Sequence, residues 1–145
     1  MYLFFWVWLL IPQRGVRMTE KIPHLHPDPE VDESRGYITA VSRELALQGV
    51  PVDRVWLDPC QPVDATIVTG GRALVWNETH GWAVGDFLSG EQGVRTVLAE
   101  ALLLGGGVVP PPEEIARRVV LEQSAPLVVR EIRARDGFNE VLRRY

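Results

Sequence analysis

Residues 72–87, RALVWNETHGWAVGDF, decide the fold that this chain is predicted to adopt. Two apolar runs, ALVW and WAV, flank the polar, turn-forming segment NETHG, a pattern typical of a β-hairpin. Trp76 and Trp82 bracket the five residues of the turn, so pairing in register would place both indoles on one face of the sheet. We expect both to face helices built around residues 37–45 and 97–102.

Two further strands are predicted before this hairpin. Residues 52–57 and 64–69 are rich in β-branched and aromatic side chains, and prolines interrupt the chain between them. The glycines at 70–71 then allow a tight turn into the hairpin. Since no helix intervenes to make a parallel crossover, the strands should pair antiparallel.

Three helices are predicted from the spacing of apolar residues, over residues 33–48, 94–104 and 112–123. Gly49 is placed to end the first helix, and Pro112 suits the first turn of the third. We therefore expect an α+β fold with an antiparallel sheet of three to five strands and two to three helices packed on one face. The side chains expected to face the sheet include Tyr37, Ile38, Val41, Leu45, Val97, Leu98, Ala101, Leu102, Ile115, Val119 and Val120.

The chain divides into four predicted regions. Residues 1–17 are strongly apolar, but the run falls short of the about 20 residues that a membrane-spanning helix needs. They are interpreted either as a spurious extension before a native start at Met18, or as a short membrane-interface anchor. Residues 18–32 form a proline-rich linker expected to be extended, and residues 33–123 form a single domain. The basic residues 124–145 fold as a strand followed by a short helix, or dock loosely as a tail.

Composition limits the function classes. A net charge of −4, with 46% hydrophobic and 23% charged residues, is typical of a soluble globular protein and makes nucleic-acid binding unlikely. Cys60 is the only cysteine, so no intrachain disulfide can form, and we expect a cytoplasmic location. Lys21 is the only lysine among 15 basic residues, and this bias towards arginine suggests a bacterial origin.

The predicted hairpin turn carries the candidate catalytic residues. Glu78 and His80 lie close enough in sequence to act as a general acid and base, and Asp86, Asp58 and Asp64 are carboxylates that the sheet could bring near them. Side chains at an exposed turn are solvated, however, whereas a catalytic pair needs a cleft that shifts its pKa values. We therefore expect these residues to lie on the surface.

Metal and cofactor sites are not expected. His24 and His26 would share a face of a strand and could ligate a metal, but they lie in the proline-rich linker with no third ligand nearby in sequence. Cys60 has no base at the spacing of a nucleophile motif. The sequence therefore predicts no cofactor.

Two stretches, LVWNETHGWAV and GGGVVPPPEEIARRV, support a family assignment. The region from Tyr37 to Leu121 resembles a group of small actinobacterial proteins classed only as a domain of unknown function. In that group a strand ending in tryptophan and an acidic turn leads to Gly-Trp, and a Gly/Pro-rich step leads to a final helix. The resemblance implies no activity and no catalytic residues.

We expect a non-catalytic binding or regulatory module that acts through protein contacts. Trp76 and Trp82 would form part of the contact surface if they are exposed. One alternative is a small enzyme with a site near His80, Glu78 and Asp86. The other is a peripheral membrane protein anchored by residues 1–17.

Removal of residues 1–17 should leave folding unchanged, because a proline-rich linker separates them from the predicted domain. The measurement is the thermal unfolding midpoint of the full chain and of a chain that starts at Met18. A midpoint lower by many degrees in the shorter chain would show that residues 1–17 belong to the core.

Overall fold

Five antiparallel strands form the sheet in the computed structural model, which describes residues 21–58, 62–131 and 136–145. Each strand pairs with its neighbours in sequence, in the order β1-β2-β3-β4-β5. This arrangement confirms the predicted α+β class and the antiparallel pairing. The strands are β1 (Arg54–Asp58), β2 (Asp64–Thr69), β3 (Arg72–Asn77), β4 (Gly81–Glu91) and β5 (Val94–Leu103).

The helices precede and follow the sheet along the chain. Those in the described residues are α1 (Pro29–Asp32), α2 (Arg35–Leu47), α3 (Pro112–Leu121) and α4 (Phe138–Leu142). The prediction of an extended linker up to residue 32 is wrong at its end, where α1 forms. Pro29 lies in the first turn of α1, where its missing N–H costs nothing, and Asp28 caps the helix by accepting a hydrogen bond from Glu30 N.

The last part of the chain forms the short helix of the first predicted form but, among the described residues, not the strand that was expected before it. No strand forms in residues 122–131, and α4 supplies the short helix. The segment is nevertheless attached to the hairpin turn, because Arg130 N donates a hydrogen bond of 2.6 Å to Thr79 O.

The main hydrophobic core lies between α2 and one face of the sheet, which we call the helix face. The 3.6-residue period of α2 places its apolar side chains in one stripe, and alternate residues of the strands meet that stripe. The principal core residues are Tyr37, Ile38, Val41 and Leu45 from α2, Leu57, Ile67, Leu74, Trp76, Trp82 and Val84 from the strands, and Ile115 and Ala116 from α3.

Trp76 and Trp82 are cross-strand partners at the centre of this core, and both are fully buried. The Trp82 indole N–H donates to the Tyr37 hydroxyl (3.0 Å), which in turn donates to the carbonyl of Pro110 (2.6 Å). The Trp76 indole N–H donates to the carbonyl of Val108 (2.7 Å). The predicted pairing and the predicted contact with the first helix are confirmed, and neither indole is exposed to a partner.

The predicted helix over residues 94–104 is wrong, because this segment forms β5 along the edge of β4. Val97, Leu98, Ala101 and Leu102 fit helical spacing, and alanine, leucine and glutamate favour helices in isolation. Pairing with β4 satisfies the backbone groups on one side of the segment and buries Leu98 partly, so tertiary contacts override local propensity. The prediction that the two indoles face a helix over residues 97–102 is therefore wrong, because that helix does not form.

The β4–β5 hairpin bends over the other face of the sheet, which we call the hairpin face. The register between β4 and β5 shifts at three places, and a Cβ on Gly85 would lie 2.7 Å from the Ala99 carbonyl oxygen. Irregular pairing of this kind bends and twists a hairpin. The bend covers a second apolar cluster, formed by Trp56, Val68 and Ala73 with the partly buried Phe87 and Leu98.

Substitution of either core indole by alanine should cost about 3–5 kcal/mol in the free energy of unfolding, the range for large aromatic residues in cores. Urea denaturation of Trp76→Ala and Trp82→Ala measures this loss. Leu47→Ala is the control, because Leu47 is 72% exposed and should change stability by no more than about 0.5 kcal/mol. Wild-type urea midpoints in both tryptophan variants would contradict the central role of the pair.

Candidate functional site

The β3–β4 turn is held by hydrogen bonds among its own side chains. Asn77 Oδ1 accepts from the backbone N–H groups of Thr79 (2.9 Å) and His80 (3.0 Å). The two ring nitrogens of His80 lie 2.8 Å from Thr79 Oγ1 and 3.2 Å from Asn77 Nδ2. Glu78 Oε2 accepts from Val63 N (2.9 Å). His80 and Glu78 therefore serve the geometry of the turn and of the neighbouring strand connection.

Asp86 does not join these residues. It pairs with Arg72 at the end of the β3–β4 hairpin opposite to the turn, where Asn77 pairs with Gly81. Five residues of extended strand separate Asp86 from Gly81, which corresponds to about 17 Å. The candidate catalytic group of His80, Glu78 and Asp86 is thus not brought together by the sheet.

The linker histidines also lack the surroundings of a metal site. His26 Nδ1 accepts a hydrogen bond from Asp28 N (3.0 Å) next to α1. Across the part of the chain that the structure describes, no group of three or more His, Cys, Asp or Glu side chains could hold a metal ion. Cys60 lies outside the described residues.

A groove of about 750 Å³ runs between the hairpin turn and the C-terminal segment. Phe138 stacks on Trp76 at its floor, with ring centroids 6.1 Å apart. The Arg130 guanidinium lies 3.9 Å above the Phe138 ring and binds Asp136 (2.7 Å). These contacts fix the C-terminal segment on the core and leave acidic side chains around the opening, namely Glu30, Glu33, Glu78 and Glu140.

Two buried aspartates face each other on the hairpin face, where β1 ends and β2 begins. Asp58 and Asp64 are cross-strand partners, and they are 0% and 3% exposed. Asp58 accepts from the Trp56 indole N–H (3.0 Å) and from Gly93 N (2.9 Å). Asp64 Oδ1 is buried without a hydrogen-bond partner among the described residues. A buried polar atom without a hydrogen-bond partner destabilises the folded state, unless a proton or a ligand supplies the missing contact.

The electrostatics of this pair favour a neutral Asp64. Burial, followed by the neighbouring Asp58, raises the pKa of Asp64 from 3.8 to about 7. Arg95 opposes the shift, but its guanidinium is 3.9 Å away and its side chain is 51% exposed, so the attraction is weak. The Asp64 carboxyl can therefore hold its proton near neutral pH, next to Asp58.

The sequence carried a signal for this pair that was missed. Asp58 and Asp64 are separated by five residues, as are Trp76 and Trp82, so the same spacing that pairs the indoles also pairs the aspartates. The predicted strands alone indicate only that the two carboxylates could approach His80. Their burial depends on the bent β4–β5 hairpin, which the prediction of a helix over 94–104 excluded.

Several large aliphatic side chains of the β4–β5 hairpin are exposed. Leu88 is 62% exposed, Val94 52% and Val97 49%, although all three lie within strands. Strand β5 is also an edge of the sheet, since no other strand within the described ranges pairs with its outer side. We call Leu88, Val94 and Val97 the hairpin patch. Exposed apolar groups beside an unpaired strand edge are typical of surfaces that bind another chain.

Comparison with known proteins places the chain in a family. A family of unknown function (DUF6292) matches residues 37–121, which is more than half of the chain. The chain belongs to the DUF6292 family. The match confirms that residues 37–121 belong to a domain of unknown function. It covers α2 from Tyr37 onwards, the complete sheet and α3, so it includes both the aspartate pair and the hairpin patch. The family match implies no biochemical activity.

The other two comparisons found no match. No curated protein and no solved structure is similar to this chain at a significant level. Among the described residues, no helix is long and apolar enough to cross a membrane. Residues 1–17 lie outside the described part of the chain, so the two interpretations of that segment stay predictions.

Asp64→Asn should remove a pH dependence of stability. Because the pKa of Asp64 is raised on folding, its stabilisation is complete below about pH 4 and is lost as the pH rises through about 7. A shift from 3.8 to about 7 corresponds to a loss of about 4 kcal/mol in the free energy of unfolding. Urea unfolding of the wild type and of Asp64→Asn between about pH 4 and about pH 8 measures the difference.

The exposed Asp86 provides the control, as Asp86→Asn should keep the wild-type slope. The pKa of Asp32 is lowered by a hydrogen bond from His26 N and, to a smaller extent, by Arg35, and that of Asp136 by hydrogen bonds from Arg130 and Phe138 N. Both groups lose their contribution to stability only below about pH 4. Their titration therefore does not change the slope of unfolding free energy between about pH 4 and about pH 8. Equal slopes in the wild type and Asp64→Asn would contradict the assignment of a neutral Asp64.

Proposed function

We propose that this protein is a non-catalytic binding module that acts through protein contacts, with the hairpin patch as its contact surface. The observation that supports this is the exposure of three large aliphatic side chains on one ordered hairpin. In an isolated protein such side chains contribute nothing to the core. Their burial against a partner stabilises the complex by about 25 cal/mol for each Å² of apolar surface removed from water.

The free edge of β5 supports the same function. Its outward backbone N–H and C=O groups can accept an extended segment of a partner as a further strand. Arg95 and Glu100, both exposed, flank Val97 on the same strand and supply a polar rim. A partner segment with apolar side chains at alternate positions would fit this arrangement.

The rival enzymatic function has less support from the geometry. Its three candidate residues, His80, Glu78 and Asp86, are divided between opposite ends of a hairpin, and His80 and Glu78 make hydrogen bonds within the turn and the strand connection. The anchored-membrane alternative depends on residues 1–17, about which the described structure carries no observation. We therefore retain the protein-binding function.

A paired set of variants tests the hairpin patch. Val97→Asp and Leu88→Asp should reduce capture of a host protein at least tenfold, since a charge at the centre of a contact surface costs a few kcal/mol when desolvated. The measurement is quantitative mass spectrometry of proteins bound to immobilised wild type and to each variant. Leu47→Asp is the control, because Leu47 is also aliphatic and exposed, at 72% against 62% for Leu88, but lies on α2.

All four proteins should unfold at similar temperatures, because the substituted residues are exposed. A partner retained by Val97→Asp and Leu88→Asp, or lost by Leu47→Asp alone, would contradict the assignment of the surface. Absence of any protein that distinguishes wild type from the hairpin variants would contradict the function itself.

A further inference from the structure

The tip of the β4–β5 hairpin rests on β1 through one carboxylate. Asp58 Oδ1 accepts from Gly93 N (2.9 Å), which lies in the turn between β4 and β5. Asp58 Oδ2 accepts from the Trp56 indole N–H (3.0 Å), so both oxygens are engaged. One additional polar contact, from Gln92 Nε2 to Leu57 O, is longer at 3.3 Å. Asp58 therefore makes the shorter of the two hydrogen bonds that join the turn of the hairpin to β1.

The carboxyl group of Asp64 has few positive charges around it. β1 contributes Asp58, β5 contributes the half-exposed Arg95, and β3 contributes Asn77 as the uncharged cross-strand partner. Beyond β3, the carboxylate of Glu78 bonds to Val63 N, next to Asp64 in sequence. Arg95 is the cation that forms an ion pair with Asp64, at 3.9 Å. The His80 ring reaches Asn77 (3.2 Å) and the Arg54 guanidinium lies over the Trp56 ring (5.3 Å), so both face partners of the pair and not its carboxyl groups.

We propose that a single proton held between the Asp58 and Asp64 carboxyls keeps the hairpin tip seated on β1, and that loss of this proton releases the tip. With the proton present, Asp64 donates a hydrogen bond to Asp58 and its orphan oxygen gains a partner. With the proton absent, two carboxylates face each other in a buried site, and like charges at cross-strand positions are destabilising. Movement of the tip away from β1 admits water and relieves the repulsion.

A proton fits this site better than a metal ion does. Both Asp58 oxygens already accept hydrogen bonds from Trp56 and Gly93, which leaves Asp64 as the one carboxylate of the pair free to coordinate. Calcium takes six to eight oxygen ligands and magnesium near-octahedral coordination, far more than one side chain provides. The pair therefore acts as a titratable latch.

Release of the tip has a defined structural effect. The hairpin covers the apolar cluster that contains Trp56 and Val68, and Thr66 Oγ1 lies 2.7 Å from Thr96 Oγ1 beneath it. An unseated hairpin separates these groups and changes the angle at which the hairpin patch is presented. The consequence for partner binding rests on the proposed function, whereas seating of the tip does not.

Nuclear magnetic resonance of the full chain tests the latch directly. The backbone N–H of Gly93 and the indole N–H of Trp56, both bonded to Asp58, report the seated state. A titration from about pH 5.5 to about pH 8.5 spans the Asp64 pKa of about 7. Both signals should move with a common midpoint near 7, and the exchange protection of the Gly93 amide should fall above it.

Two variants separate the latch from general pH effects. Asp64→Asn keeps the shape of the side chain but cannot lose the proton, so both signals should stay in the seated position throughout. Asp86→Asn, on an exposed aspartate of the same hairpin, should titrate as the wild type does. Constant Gly93 and Trp56 signals in the wild type, or an unchanged transition in Asp64→Asn, would overturn the proposal.

Carbon-13 detection of carboxyl groups in the wild type keeps the test decisive if Asp64→Asn fails to fold. A transition of the Asp64 carboxyl carbon that coincides with the Gly93 shift supports the latch. Titration of Asp64 near its ordinary value of 3.8, with no change above pH 5.5, overturns it. These signals report the tip and not a partner, so failure of the latch leaves the proposed binding function to be judged separately.

Discussion

The hydroxyl group of Tyr37 joins three parts of the chain that are far apart in sequence. It accepts a hydrogen bond from the Trp82 indole and donates one to the carbonyl of Pro110, so α2, β4 and the Gly/Pro-rich segment before α3 meet at one oxygen atom. Burial raises the pKa of this phenol well above its ordinary value, which keeps the donor proton in place. A buried donor or acceptor left without its partner costs about 1–3 kcal/mol, so loss of this oxygen affects all three segments together.

Helices cover one face of the sheet and a bent hairpin covers the other. The two faces therefore differ in how readily they open. The helix face carries long apolar side chains from α2 and α3 against Trp76 and Trp82, with their polar atoms paired. The hairpin face is covered by strands of the sheet itself, bent back at Gly85, and it contains the unpaired oxygen of Asp64. Regions with few buried apolar contacts open locally at the lowest cost in free energy. The apolar cluster of the hairpin face is much smaller than the core of the helix face, so local opening is expected there first.

Sequence patterns predicted the parts of this fold that depend on local chemistry. The turn residues between Trp76 and Trp82 fix a hairpin, and the apolar stripe of α2 with Gly49 at its end fixes a helix. Strand β5 was predicted as a helix because its composition favours one, and only pairing with β4 decides otherwise. The aspartate pair was missed for a related reason, since its burial requires the bent hairpin. Periodicity describes one segment at a time, whereas these features arise from contacts between segments.

The strictly sequential order of the five strands has a consequence for how the molecule forms. Each strand can pair with the one just made, across connections of between two and five residues, so little loop entropy is lost at any step. Proteins dominated by such local contacts fold faster than those that join distant strands. Contacts of high sequence separation join the helix and the hairpin to later segments of the chain, and they include Tyr37–Pro110, α2–α3, Trp76–Phe138 and Thr79–Arg130. The sheet is therefore expected to assemble early as a series of hairpins, and docking of the later segment on α2 to complete folding.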